Sequence, residues 1–97
     1  MHWLWTWSGR CFGYKLENNL WTHDGRHVGR FWGDEIYDSR GYYLGEVKNE
    51  NRLISNISKK NWRKSSYAPY SKRGAYARYA NYAGYAMYAG HKDFPAL

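Results

Sequence analysis

Few residues of the chain have the types and spacing of a reactive site. Cys11 is the only cysteine, so one chain cannot form a disulfide or a cysteine-based zinc site, and we expect a buried structural thiol. His23 and His27 have the spacing of metal ligands on a helix, but Asp24 and Gly25 predict a turn between them. The alternative is that both imidazoles face each other across a hairpin, with Asp24 as a third ligand. We predict no catalytic, cofactor-binding or metal-binding residue and no enzymatic activity.

The C-terminal part of the chain has a composition typical of nucleic-acid contact. Residues 1–58 contain seven basic and seven acidic side chains, whereas residues 59–97 contain eight basic side chains and one acidic one. The net charge of +7 therefore falls entirely in the second part. Lysine and arginine neutralise phosphates, and tyrosine rings stack on unpaired bases at about 1 to 3 kcal/mol per base. The candidate residues for a sequence-tolerant contact are Lys59, Lys60, Trp62, Arg63, Lys64, Lys72, Arg73, Tyr76, Arg78 and Tyr79.

The same segment allows other interpretations. These are a solvated basic linker at residues 59–64, self-association or packing through the tyrosines, and attraction to an anionic membrane surface. The chain has no apolar span near 18 residues, no lipidation signal and no secretory pattern at its N-terminus. These observations predict a cytoplasmic protein without a transmembrane segment. No feature indicates a small-molecule substrate.

The elements that carry these residues follow a sixteen-residue repeat. When the sequence is written in rows of sixteen residues, three rows align with one another, at Leu4–Gly13, Leu20–Gly29 and Ile36–Gly45. A fourth row opens one residue late at Leu53 and lacks both glycines. Repeat spacing constrains architecture more than composition does. The sequence therefore predicts three or four similar units, in which a fourth would be a capping variant.

Each row has the pattern of a β-hairpin. An apolar and an aromatic residue precede a polar turn that ends in glycine. Asp24-Gly25 is a strong signal for a two-residue turn, because glycine adopts a positive φ without a steric clash. The apolar residues on the two sides of the second glycine are an odd number of positions apart, so they would fall on opposite faces of a regular strand. A bulge at Gly29 and Gly45 would bring them to one face.

This row resembles the repeat of the small four-fold β-flower proteins, over roughly Trp3 to Trp62. The resemblance implies four hairpins arranged as petals about a pseudo-four-fold axis. It implies no established activity, so no catalytic residue is transferred from it. The predicted fold class is all-β, with about four 16-residue hairpin repeats in a flower-like meander at residues 1–62. A low-complexity, basic tail rich in tyrosine and alanine follows at residues 63–97.

The aromatic residues have two possible uses. All six tryptophans precede residue 63, and a small domain needs the large area that each can bury. We expect core and inter-petal packing. The alternative is an exposed platform for a base or sugar, for which Trp5, Trp21 and Tyr37 are the candidates because they occupy equivalent positions.

The tail has its own rhythm, with a tyrosine at every third position from Tyr67 to Tyr88 except at Arg73. On an α-helix this spacing spreads the rings around most of the surface. The alanines favour a helix, while Gly74, Gly84 and Gly90 oppose a long one. We expect a disordered or partly helical tail that orders on a partner or on the preceding domain.

Two functions follow from these patterns. The first is a non-enzymatic β-repeat scaffold or interaction module, whose partner is a protein or a second copy of the chain. The second is sequence-tolerant binding of nucleic acid through the basic, tyrosine-rich tail. The salt dependence of binding distinguishes the two functions. Affinity for nucleic acid falls steeply with ionic strength, because binding neutralises several phosphates.

Overall fold

Aromatic and β-branched residues, which suit half-buried strands, recur in each of the first seven strands of the protein. The computed structural model describes residues 1–97 and contains eight strands, one short 3-10 turn and no α-helix, so the all-β class is confirmed. The strands are β1 (His2–Thr6), β2 (Cys11–Leu16), β3 (Asn19–Thr22), β4 (His27–Trp32), β5 (Glu35–Tyr37), β6 (Tyr43–Lys48), β7 (Arg52–Asn56) and β8 (His91–Asp93). The 3-10 turn is Ile57–Lys59.

The strands form one closed sheet of four hairpins. Strands β1 to β8 pair antiparallel in chain order, and a parallel pairing of β1 with β7 closes the ring. We call β1–β2, β3–β4, β5–β6 and β7–β8 petals 1 to 4. The molecule is a flattened disc with extents of 35 × 32 × 19 Å. Closure leaves few unpaired strand edges, which is a stable arrangement for a small sheet.

Petal 4 is completed by the far end of the chain. Strand β8 pairs with β7 in the register Ile54 to Asp93, so the residues directly after β7 do not form its outer strand. This explains why the fourth row lacks the two glycines of the others. The predicted fourth unit exists, and the C-terminal residues supply half of it.

Petals 2 and 3 contain the predicted bulge, and petal 1 contains one as well; in each petal it lies one residue before the second glycine. In petal 2, Leu20 pairs with Gly29 and Trp21 pairs with His27, so Val28 is the extra residue. Phe12 and Leu44 are the extra residues in petals 1 and 3. All three pack against the core, because the bulge redirects the side chain that would otherwise alternate outward.

The turns of these petals are one residue longer than predicted. In petal 2 the amide of Thr22 donates to the carbonyl of Arg26 (2.9 Å), and the amide of Gly25 donates to the carbonyl of Thr22 (3.0 Å). The loop is therefore residues 23–25, with Gly25 at φ +91°. Three-residue loops of this kind place a glycine in the left-handed region after a tight turn. The prediction of a two-residue turn was wrong, although its glycine was correct.

The core lies on the pseudo-four-fold axis. Each petal contributes one fully buried aliphatic residue to a central cluster, namely Leu4, Leu20, Ile36 and Leu53. These are the first residues of the four sequence rows, so the one-residue offset of the fourth row is confirmed. Phe31 and Phe94 complete the cluster, and Phe94 comes from the segment predicted to be tail.

Residues 63–90, which we call the strap, differ from the helical or disordered tail that we expected. The strap contains no helix and runs extended around petals 3, 2 and 1 before β8 enters petal 4. Main-chain amides of Lys64, Arg73 and Tyr82 donate to the carbonyls of Gly41, Gly25 and Gly9 at 2.9, 2.8 and 2.8 Å. Amides of Tyr67, Tyr76 and Tyr85 donate to the carbonyls of Ser39, His23 and Trp7 at 2.9, 2.7 and 3.1 Å.

The strap is thus a nine-residue repeat matched to the sixteen-residue repeat. Its donors advance by nine residues at each petal, while their acceptors move back by sixteen. The Tyr-Ala pairs at Tyr67, Tyr76 and Tyr85 show this period in the sequence. Petals 1 to 3 therefore offer the strap equivalent places to bind. The tyrosine rhythm reflects this register rather than a helix.

Glycine is required where the strap meets the petals. A Cβ atom at Gly9, Gly25 or Gly41 would lie 2.0, 2.2 or 2.1 Å from the nearest strap carbonyl oxygen. No real contact is that short. These glycines thus serve both the turn, through their positive φ, and the close approach of a second backbone.

Replacing Gly25 by Ala tests the contact between strap and petal. Gly33→Ala is the matched control, because Gly33 also has a positive φ but has nothing within 4 Å of the added Cβ. We expect the control to lose about 1 kcal/mol of unfolding free energy and Gly25→Ala to lose about 2 to 4 kcal/mol. Urea unfolding measures both losses. Equal losses would show that the strap does not constrain Gly25.

Candidate functional site

The strap covers the aromatic residues that were candidates for an exposed platform. On petal 1 the ring of Trp5 stacks on Tyr82 with centroids 4.0 Å apart, and its indole Nε1 donates to the carbonyl of Ala80 (3.0 Å). Trp5, Trp21 and Tyr37 are all buried. The platform alternative was wrong for these residues, because the strap already occupies their outer faces.

The three covered aromatic residues meet equivalent positions of the strap. Trp5 meets Tyr82, Trp21 lies beneath the guanidinium of Arg73 (5.1 Å), and Tyr37 lies near the ammonium of Lys64 (5.8 Å). The covering residues are spaced by nine, as are their main-chain bonds. Cation–π contacts contribute about 0.5 to 2 kcal/mol depending on exposure. Part of the basic charge of the strap therefore attaches it to the petals.

Lys59 was a candidate for nucleic-acid contact and lies in an ion-pair network. Its ammonium contacts Glu35 Oε2 at 2.7 Å and Glu46 Oε2 at 2.8 Å. Hydrogen bonds from Lys59 to these carboxylates raise the pKa of the lysine above its ordinary value. The hydroxyls of Tyr37 and Tyr43 donate to the same carboxylates at 3.0 and 3.1 Å. Lys59 thus joins the 3-10 turn to petal 3, with its charge already neutralised.

The tyrosines of this network are held in the protonated state. Burial, followed for Tyr37 by its hydrogen bond to Glu35, raises the pKa of Tyr37 to about 12. Burial also raises the pKa of Tyr43 to about 12. Both hydroxyls therefore remain donors at neutral pH, and they share the two carboxylates with the ammonium of Lys59.

Most of the remaining candidate residues lie on the outer surface. Lys60, Arg63, Lys64, Lys72 and Arg78 are exposed, whereas Arg73 is half-buried over Trp21. Trp62 stands beside Lys59, whose ammonium is 4.8 Å from the indole centroid. Tyr76 and Tyr79 each contact Trp3, with ring centroids 5.8 and 4.8 Å away. The structure thus spreads the candidates along the strap and does not gather them into one cluster.

Six tyrosines of the strap are half-exposed. The exposed fractions of these residues lie between 45 and 59%. The tyrosines in this outer set are Tyr70, Tyr76, Tyr79, Tyr82, Tyr85 and Tyr88. In each case one side of the ring packs on a petal and the other side faces solvent. We call this set the tyrosine belt.

The residues considered for catalysis or metal binding are held by main-chain contacts. His23 Nδ1 lies 2.9 Å from the carbonyl of Tyr76. His27 Nδ1 accepts the amide of Tyr70 (2.9 Å), so Nε2 carries the proton and donates to the carbonyl of Gly29 (3.1 Å). Cys11 is buried, and burial raises the pKa of its thiol. No group of three or more metal-ligating side chains is assembled.

Sequence reasoning missed the sites on the petals that receive the strap. A signal was present, because three of the six Tyr-Ala pairs, at Tyr67, Tyr76 and Tyr85, are spaced by nine residues, and three is also the number of glycine turns. The three-residue tyrosine rhythm concealed that longer period. Arg73 interrupts the tyrosine series at the position where its guanidinium covers Trp21.

A ring of four hairpins about a central aliphatic cluster defines a β-flower architecture. Residues 1–89 match the sequence profile of the family described as 4-fold beta flower protein, and the chain belongs to that family. The match covers the strap as well as petals 1 to 3. No curated protein and no solved structure matches the chain. The structure contains no helix that is long and apolar enough to cross a membrane.

Acidification tests the contact of the strap with His27. Burial lowers the pKa of His27, so the unfolded imidazole takes up a proton near its ordinary pKa of about 6.5 before the folded one does. Stability is therefore complete above that pH and falls as the pH decreases, by at most about 1.4 kcal/mol per pH unit. We expect His27→Gln to remove this part of the slope.

The measurement is urea unfolding at several pH values between 7.5 and 5. His2→Gln is the matched control, since His2 is exposed and lies outside the strap contacts. The control should keep the wild-type slope. An unchanged slope in His27→Gln would contradict the role of the neutral imidazole as an acceptor for Tyr70.

Proposed function

We propose that this protein is a non-enzymatic scaffold whose interaction surface is the tyrosine belt, and whose partner is a protein surface, including that of a second copy. The observation that carries the proposal is the half-exposure of the belt tyrosines on a backbone fixed by regular hydrogen bonds. Tyrosine is enriched at protein interfaces because it offers a large apolar face together with a hydroxyl.

The belt supports binding because its backbone is already ordered. An isolated tyrosine-rich segment would lose conformational entropy on binding, at about 1 to 2 kcal/mol per residue for the backbone. In the strap, hydrogen bonds to the glycine turns fix that backbone before any partner arrives. Rings such as Tyr82 are also held by stacking on the petals, so few rotamers remain to be frozen.

A second candidate function is sequence-tolerant binding of nucleic acid, and the charge of the strap favours it. Lys60, Arg63, Lys64, Lys72 and Arg78 are exposed among the belt rings. Such a surface would neutralise phosphates and offer half-exposed rings to unpaired bases. Lys59 is already ion-paired and Arg73 already lies over the ring of Trp21, so less positive charge is available for this contact.

Sedimentation velocity of the full chain over a range of concentrations tests the proposal. We expect reversible self-association that changes little between low and moderate salt, because tyrosine contacts are only weakly screened. The variant Tyr70→Ser/Tyr79→Ser should weaken it at least tenfold, since these rings are 59 and 55% exposed. The matched control is Ile57→Ser, an exposed apolar residue outside the strap, which should associate like the wild type.

The oligonucleotide experiment separates the two candidates. A labelled single-stranded oligonucleotide is titrated with wild type and with Lys60→Gln/Lys72→Gln at two salt concentrations. A monomeric chain that binds the oligonucleotide with a steep salt dependence, weakened in this variant, would replace the scaffold proposal by the second candidate. A monomeric chain that binds no oligonucleotide would contradict both self-association through the belt and the second candidate.

A further inference from the structure

A cavity lies at the seam between petals 1 and 2, and none of the belt tyrosines lines it. Its volume is about 310 Å³, near the lower end of the range for small-molecule sites. One wall comes from the end and turn of β1 and another from the turn after β3. Arg78 of the strap and residues 93–97 close the remaining sides.

Three guanidinium groups from separate segments line this cavity. Arg10 and Arg26 follow the turn glycines of petals 1 and 2, and Arg78 lies on the strap between its contacts with those petals. Arg26 Nη2 donates to the main-chain oxygen of Leu97 at 2.7 Å, so this guanidinium is already directed at an oxygen acceptor. Neither Arg10 nor Arg78 forms an ion pair.

The concentration of arginine is specific to this seam and is not a consequence of the repeats. The sixteen-residue step from Arg26 leads to Tyr42 in petal 3. The nine-residue steps from Arg78 lead to Pro69 and Met87 on the strap. The other equivalent positions thus lack the charge. Convergence of like charges costs free energy unless an anion or a carboxylate compensates it.

The other walls indicate the rest of the ligand. Phe12 and Phe94 provide apolar surface, and their rings contact each other edge to face at 5.2 Å. Two carboxylates also line the cavity. Asp93 Oδ1 accepts the amides of Trp7 and Phe94, both at 2.9 Å, and Asp24 accepts the hydroxyl of Thr22 and lies 3.5 Å from Arg26. Their remaining lone pairs would accept hydroxyl groups and would repel a ligand that is anionic throughout.

We propose that this cavity binds a small phosphate ester that carries hydroxyl groups. The planar fork of arginine matches phosphate oxygens in a bidentate manner, and the charges of Arg10 and Arg78, which form no ion pair, compensate that of a phosphate monoester, while Arg26 adds a further donor. The hydroxyls of the ligand meet Asp24 and Asp93, while its carbon skeleton lies against Phe12 and Phe94. A free sugar phosphate and the 5′-phosphate end of a nucleic acid share this chemistry.

Isothermal titration calorimetry of the full chain tests the site with ribose 5-phosphate, ribose and inorganic phosphate. We expect ribose 5-phosphate to bind at least tenfold more tightly than either of its parts, because it alone uses both the arginines and the carboxylates. Arg10→Gln/Arg78→Gln should weaken its binding at least tenfold. Lys60→Gln/Lys72→Gln removes two exposed charges outside this cavity and should leave the affinity unchanged.

Equal affinities in the two double variants, or no binding of ribose 5-phosphate at millimolar concentration, would overturn the proposal. All four substituted residues are exposed, and near-ultraviolet circular dichroism checks that both variants are folded. A 5′-phosphorylated dinucleotide identifies the source. Binding as tight as that of ribose 5-phosphate, and lost without the phosphate, supports a nucleic-acid end, whereas exclusive binding of ribose 5-phosphate supports a free metabolite.

Cys11 offers an independent readout, because it lines the same cavity and is buried. Occupancy should slow its reaction with an aromatic disulfide reagent in the wild type. The same concentration of ribose 5-phosphate should have no effect on the reaction in Arg10→Gln/Arg78→Gln. Equal slowing in both proteins would contradict binding at the seam.

Discussion

The strap lies on the petals through main-chain hydrogen bonds, and its closest approach to each turn requires a residue without a side chain. At Gly9, Gly25 and Gly41 the strap carbonyls come so close that any Cβ atom would overlap them. The same glycines take the positive φ that their hairpin loops need. Glycine is therefore required at these positions both for the conformation of the loop and for the close approach of the strap. The placement of the belt tyrosines and of Arg78 depends on this contact.

The closed ring depends on the strap in a second way. The strap delivers β8 to petal 4 and Phe94 to the core, across more than thirty residues of sequence from β7. The first seven strands therefore lack part of their core until the end of the chain arrives. The neutral first part and the basic second part of the sequence are joined by contacts of Arg73 and Lys64 with petal aromatics. Charge asymmetry in the sequence does not correspond to separation in space.

The petals could be predicted because their signals are local. A hairpin needs a glycine turn and alternating apolar residues within about sixteen positions, and the rows beginning at Leu4, Leu20 and Ile36 contain both. The β8 pairing could not be predicted in this way, because His91–Asp93 has no pattern that identifies β7 as its neighbour. The strap was misread because alanine propensity favours a helix, whereas tertiary hydrogen bonds to the petals override that weak preference.

The central claim is that the strap is bound to three equivalent glycine turns, and amide hydrogen exchange of the full chain followed by NMR tests it most directly. The bonded amides of Lys64, Tyr67, Arg73, Tyr76, Tyr82 and Tyr85 should exchange slowly, in pairs that recur every nine residues. The amides of Ala75, Ala77 and Ala83, which lie between them without such bonds, should exchange fast. Uniformly fast exchange from residue 63 to residue 90, with slow exchange in β1 to β7, would contradict the claim.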